Sequence, residues 1–223
     1  MFRKLFMFLT GQGMSSVSRR WIMGFSGLFL CIFLIGHLAG NLILLTGEGA
    51  KEAFNNYAVF MRENPFARVI RYITYTGITF HIIYAIGHTV RARTEKRTKY
   101  VYQTKENKKA ELKAKLMPLL GAFILVFLVV HLRSFWFKAS FFEIHDLHAE
   151  VVTAFQNIYY VVFYVFAMLF LAYHLIHGVK SGIRTLGYSS GKNALLIEVT
   201  VVAFSVSVPV LYSLIPVFIY FFY

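Results

Sequence analysis

Five stretches of this chain, approximately 21–45, 67–90, 116–137, 155–179 and 195–222, are almost unbroken in apolar residues, and the polar residues collect between them. Each is close to or above the roughly 20 residues that a helix needs to cross a bilayer core of about 30 Å. The pattern therefore predicts five transmembrane helices and an all-α, integral membrane fold. The connections are too short for a soluble domain, so residues 1–223 read as a single transmembrane domain. Basic residues precede the first stretch, as in a signal peptide. That stretch is too long for one and carries no A-x-A-like cleavage signal, so it is expected to be retained.

Composition agrees, because 58% hydrophobic against 15% charged residues leaves few polar groups for anything but loops. Charge then orients the helices, since basic loops near membrane ends stay cytoplasmic. Arg3, Lys4, Arg19 and Arg20 precede span one, and residues 91–115 hold ten basic residues against Glu95, Glu106 and Glu111. Lys180, Arg184 and Lys192 mark the last connection. The other two connections are more acidic, with Glu48, Glu52 and Glu63 in one and Glu143, Asp146 and Glu150 in the other. The expected topology has the N-terminus in the cytoplasm and the aromatic C-terminus, residues 219–223, at the outer interface of the cytoplasmic membrane. The net charge of +13 sits in juxtamembrane segments without a nucleic-acid-binding fold, so no nucleic-acid partner is expected. A basic inner face suits anionic lipid or an acidic soluble partner. Cys31 is the single cysteine, which excludes disulfides, iron–sulfur ligation and covalent haem attachment by C-x-x-C-H.

Candidate chemistry comes from four histidines, His37, His81, His131 and His174, each inside a different apolar stretch. Hydrocarbon is a costly place for an ionisable side chain without a task. His37 and His131 lie about 12 and 9 Å from the outer ends of spans one and three, and His81 and His174 about 13 and 8 Å from the inner ends of spans two and four. Depth thus sorts them into an outer and an inner pair, separated along the membrane normal by about 12–20 Å before tilt. Two buried haems, each held by one pair, would form a transmembrane electron relay. Iron with two imidazole ligands keeps no open position, so such sites conduct electrons and do no catalysis at the metal. For any single histidine, a hydrogen bond to a neighbouring helix is the competing explanation. Four at matched depths weaken it.

Small residues accompany the histidines: Gly36 and Gly40 beside His37, Gly87 after His81, and Gly178 and Gly182 after His174. They suit close approach of a flat macrocycle, and helix packing without a cofactor is the simpler reading of each one alone. His88 falls at the cytoplasmic end of span two, where water or a haem propionate would meet it. His177, three residues past His174, competes with it as a ligand. His145 and His148, with Glu143, Asp146 and Glu150, offer a zinc reading for the outer loop; the simpler reading is a solvated loop helix. Arg19, Arg20, Lys180 and Arg184 lie at the cytoplasmic level, where propionates of the inner haem would find cationic partners. The positive-inside rule explains the same four residues.

The segments Phe33-Leu-Ile-Gly-His37-Leu-Ala-Gly-Asn41, Phe80-His81-Ile-Ile-Tyr84, Phe127-Leu-Val-Val-His131 and Tyr173-His174-Leu-Ile-His-Gly178 resemble the four helix motifs of the di-haem cytochrome b membrane subunit of succinate:quinone oxidoreductases. The resemblance covers nearly the whole chain, including Arg19-Arg20 before helix one and Asn64-Pro-Phe66 before helix two. It implies a four-helix bundle, helices one to four, around two haem b groups, with helix five packed outside. His37 and His131 would hold the distal haem, and His81 and His174 the proximal one. It also implies an anchor for a flavoprotein subunit and an iron–sulfur subunit, passing electrons to or from menaquinone, in a succinate dehydrogenase or a fumarate reductase. Succinate chemistry would lie outside this chain, which has no catalytic residues for it.

Glu63 resembles in location the acidic residue that family members use near a distal quinone site, with Arg62 as the alternative alignment and a solvated loop carboxylate as the simpler reading. The chain departs from some fumarate reductases at 169–173, Leu-Phe-Leu-Ala-Tyr, which lacks their helix-four glutamate. Two other classes compete: the haem-containing membrane anchor of another electron-transfer enzyme, and a haem-free transporter. An odd number of spans without an evident internal repeat argues against the transporter.

Overall fold

A computed structural model of the chain describes residues 14–94, 105–142, 144, 146–187 and 194–223. Among these residues all regular structure is helical. Five helices are long and apolar enough to cross a membrane, namely Ser16–Leu45, Pro65–Arg91, Lys115–Phe141, Ile158–Thr185 and Ala194–Phe222. They coincide with the apolar stretches, as a multi-pass membrane protein requires. Arg3, Lys4, Glu95, Glu143, His145 and Lys192, which entered the orientation and zinc readings, lie outside the described residues.

Local signals set the helix ends. Helix α1, Ser16–Leu42, begins at Ser15, whose hydroxyl accepts the Ser18 N–H at 3.1 Å, one of the donors a first turn leaves unpaired. A short 3₁₀ turn, Ile43–Leu45, and two left-handed glycines, Gly47 and Gly49 with φ of 78° and 85°, turn the chain into α2, Ala50–Glu63. Asn64 then caps α3, Pro65–Thr94, accepting the Phe66 and Ala67 N–H groups at 2.9 and 3.2 Å. Pro65 occupies the first helical position, where its missing N–H costs nothing. Helix α4, Lys105–His131, widens after its last residue into a π-helical turn, Leu132–Phe137, and closes as the short α5, Lys138–Phe141. Asp146 caps α6, Leu147–Phe155, and Asn157 caps α7, Ile158–Thr185. Helix α8, Ala194–Phe222, contains Pro209 and Pro216.

Helices α1 and α7 pack on each other at the centre, with α3 against α1 and α4 against α7. Helix α8 lies along α7 and also touches α1. Helices α1 and α7 approach closely at Gly24 and Gly182, where a Cβ on Gly182 would stand 3.3 Å from Leu28 Cγ. The short helices α2 and α6 were absent from the hydropathy pattern, and α6 explains why the fourth spanning helix starts at Ile158 rather than near 155. They meet at one end of the molecule, over the buried cluster of Leu38, Leu44, Phe54, Val151, Phe155 and Ile219.

That end is tied by polar contacts. Lys51 Nζ lies 2.7 Å from Asp146 Oδ2, Asn55 donates to Asp146 Oδ1 at 2.9 Å, and the His148 N–H donates to Asn55 Oδ1 at 3.0 Å. His148 is buried, with ring centres 6.4 Å from Phe54 and 5.3 Å from Tyr223. The solvated loop helix expected around this residue is therefore a buried cap, because the ring fills the space between α2 and the C-terminal aromatic. Hydrogen bonds from Lys51, Asn55 and the Ala149 N–H hold the Asp146 carboxyl well below the usual carboxylate range.

Burial pushes His148 below its ordinary 6.5, against the opposing pull of Asp146 and with a smaller push from Lys51. Below 6.5 the unfolded chain takes up a proton that the folded cap refuses, so stability falls with pH; the Asp146 contribution is lost later, below 3.8. The thermal midpoint of the detergent-solubilised protein should therefore decline as pH drops from 6.5. His148→Phe, which keeps a ring between Phe54 and Tyr223 but cannot titrate, should flatten the upper part of that decline. An unchanged profile in this variant would clear His148 of the effect.

Candidate functional site

The four spanning histidines come from four helices, His37 from α1, His81 from α3, His131 from the end of α4 and His174 from α7. The fold brings them together two by two. The ring centres of His37 and His131 are 5.8 Å apart with planes at 88°, and those of His81 and His174 are 6.4 Å apart at 76°. These are the pairs that depth predicted. Tyr164 and His174 lie ten residues apart on α7 and contact His131 and His81 respectively, which separates the pairs by about 15 Å along the helix. On α1, Ser26 against His81 and His37 against His131 give about 16 Å by the same rise.

Two imidazoles on opposite sides of one metal, with bonds of about 2 Å each and about 1 Å from nitrogen to ring centre, place their centres about 6 Å apart. Both pairs match that spacing. Hydroxyls meet one nitrogen of each of two rings: His131 Nδ1 lies 3.3 Å from Tyr164 Oη and His81 Nδ1 lies 3.2 Å from Ser26 Oγ. Such contacts orient a ligating histidine and leave Nε2 for the metal. His174 Nδ1 is buried without a hydrogen-bond partner among the described residues. No group of three or more His, Cys, Asp or Glu among the described residues is placed to hold a bare ion. Two imidazoles per pair fit a group that supplies further ligands of its own, as a haem does; His37 with His131 and His81 with His174 would hold it.

Packing around the rings is aromatic. Phe33 stacks on His37 at 5.3 Å and 14°, and Phe127 stacks on His131 at 5.8 Å and 26°, each from one turn before its histidine. Tyr212 of α8 approaches His37 at 6.0 Å and donates its hydroxyl to the Leu34 carbonyl at 2.7 Å. Helix five, expected outside, thus reaches the His37 environment. The glycines divide between the two readings they allowed. Gly36 and Gly178 have no atom within 4 Å of a Cβ position, leaving open room beside His37 and one turn past His174. Gly182 serves the α1 contact, and a Cβ on Gly40 would stand 2.5 Å from the Tyr57 ring. Gly87 is buried.

The cationic candidates gather where α1 begins and α7 ends. Arg19 donates to the Met14 carbonyl and Arg20 to the Ser16 carbonyl, while Lys180 pairs with Glu198 of α8. Arg184 is exposed in the last turn of α7. Glu63 ends α2 with an exposed side chain 3.5 Å from the neighbouring Arg62. This contact does not join it to either histidine pair. His88 is exposed and His177 half-buried; the ring that meets His81 is that of His174.

Sequence reasoning missed Ser26, Tyr160, Tyr164, Tyr212 and Glu198. In spans this rich in aromatics, a tyrosine at helical spacing from a histidine carries little signal until the partner helix is known. No protein-family model, curated protein or solved structure matches the chain.

Tyr212→Phe tests how α8 is fastened near His37. Losing the bond to the Leu34 carbonyl should cost about 1 kcal/mol, read as a lower thermal midpoint in detergent. An unchanged midpoint would show that ring packing alone holds the helix.

Proposed function

We propose that this chain is the di-haem cytochrome b membrane subunit of a succinate:quinone oxidoreductase, working as a succinate dehydrogenase or a fumarate reductase. It would anchor a flavoprotein subunit and an iron–sulfur subunit at the cytoplasmic membrane, N-terminus in and C-terminus out, and pass electrons between them and menaquinone. The observation that carries the reading is the pairing of the four intramembrane histidines, with ring centres 5.8 and 6.4 Å apart, at two levels of one set of helices.

Bound at each pair, a haem supplies a one-electron iron couple. The chain's own part is to present two neutral imidazoles per site, to fix their rings through Tyr164, Ser26 and the stacked phenylalanines, and to surround them with hydrocarbon. His37 and His131 form the distal site, His81 and His174 the proximal one. Arg19, Arg20, Lys180 and Arg184 supply positive charge at the proximal end, where propionates and anionic lipid would be drawn. Lys180 already shares its charge with Glu198.

For the quinone, Glu63 stands at the distal end as the acidic candidate. A shallow, open and almost wholly apolar groove between α1 and α3 is lined by Phe25, Ser26, Phe29, Tyr72 and Phe80. It includes Ser26, the hydroxyl on His81.

The purified, detergent-solubilised complex should contain two b-type haems per copy of this chain by pyridine haemochrome assay, with low-spin bands in the dithionite-reduced spectrum. Alanine at His37 or His131 should remove one centre, and alanine at His81 or His174 the other. Well-folded protein without haem would sink the reading. Loss of the proximal centre in His177→Ala but not in His174→Ala would move the ligand by one turn.

A further inference from the structure

Beside His131 runs a line of hydroxyls that the ligand role alone does not require. Tyr164 Oη lies 3.3 Å from His131 Nδ1 and 3.2 Å from Tyr160 Oη, and Tyr160 donates to Ser134 Oγ at 2.5 Å. Two helices build it in matched steps. Tyr160 and Tyr164 stand four residues apart on one face of α7, and His131 at the end of α4 is three residues before Ser134 in the turn that follows. The π-helical turn that starts at Leu132 carries Ser134, and such widened turns concentrate at functional positions. Tyr164 is buried, 7% exposed, so its hydroxyl has little recourse to any partner outside this chain.

The order of donors follows from the metal. If Nε2 of His131 binds iron, Nδ1 carries the ring hydrogen and donates to Tyr164 Oη. The Tyr164 hydrogen is then free to go to Tyr160, and the Tyr160 hydrogen goes to Ser134. Each link polarises the next, which makes Tyr164 a better acceptor than a lone phenol. The His81 ring has a shorter arrangement: Ser26 Oγ faces Nδ1 and donates its own hydrogen to the Met23 carbonyl at 3.2 Å. The two pairs therefore differ in what stands behind their ligands.

Resting on the di-haem reading, we infer that Tyr164, backed by Tyr160 and Ser134, is a positioning residue that locks the tautomer and ring orientation of His131 and lowers the reduction potential of the His37/His131 centre. A ligand whose N–H is held by a good acceptor is more basic and favours the oxidised metal. Tyr164 touches neither substrate nor iron in this role. It acts through the histidine.

The test is a spectroscopic redox titration of the intact complex, with the two centres assigned by His131→Ala and His81→Ala. Tyr164→Phe keeps the ring and its packing and removes the acceptor. It should raise the potential of the His131 centre alone, by about tenfold in the one-electron equilibrium or about 59 mV. Tyr160→Phe should move the same centre in the same direction by less, and provides the measurement if Tyr164→Phe does not assemble. Ser26→Ala should move the other centre. Haem-replete variants in which the His131 centre keeps its potential, or in which both centres shift together, would overturn the inference and leave the di-haem reading standing. Absence of haem from the parent complex would remove both.

Discussion

Hydrocarbon offers no hydrogen bonds, and that single constraint arranges the interior of this protein. Every buried donor or acceptor needs a partner within the chain or from a bound group, because an unmade bond there is worth more than most packing contacts. Threonines on α3 return their hydroxyls to the carbonyls one turn back, as Thr74 does to Ile70 and Thr79 to Tyr75. Tyrosines reach further, Tyr212 to α1 and Tyr160 to the π-helical turn after α4. Among the described residues the buried side-chain exceptions are His148 Nε2, His174 Nδ1 and Ser205 Oγ. One of the three belongs to an imidazole proposed to hold a haem.

The two ends of the molecule solve different problems. Where α2 and α6 meet, charge is balanced locally by Lys51 against Asp146 and Lys138 against Glu150, and the last residue, Tyr223, donates its hydroxyl to the Leu44 carbonyl at 3.1 Å. Where α1 begins and α7 ends, arginines and lysines collect with Glu198 as an acidic partner. A neutralised end closes on itself. A basic one attracts anionic groups.

How far the residues announced this arrangement depends on the length scale of each signal. Long apolar runs located all five spanning helices, and counting residues to their ends paired the histidines, because helical rise is uniform and depth survives without knowledge of packing. The amphipathic α2 was not legible and α6 was read only as a solvated loop helix, since helices of 14 and 9 residues between spans resemble ordinary loops in composition. Side-chain partners across helices were the least legible. Tyr164 meets His131 because of the rotation of α7 against α4, a quantity that no single helix encodes. Glu63 was singled out by its position before α3, yet its described contact is the adjacent Arg62. Glu198 was passed over because one carboxylate at the edge of an apolar run leaves the hydropathy reading unchanged.

Both histidine pairs are braced by the same two central helices, with Ser26 and His37 on α1 and Tyr164 and His174 on α7. The interval between them is accordingly written in covalent bonds. A thicker or thinner bilayer is met by tilting or local deformation of the lipid, and such adjustments leave a count of ten or eleven residues untouched. The chain carries its own ruler, which keeps the gap between the two sites independent of the membrane in which it is read.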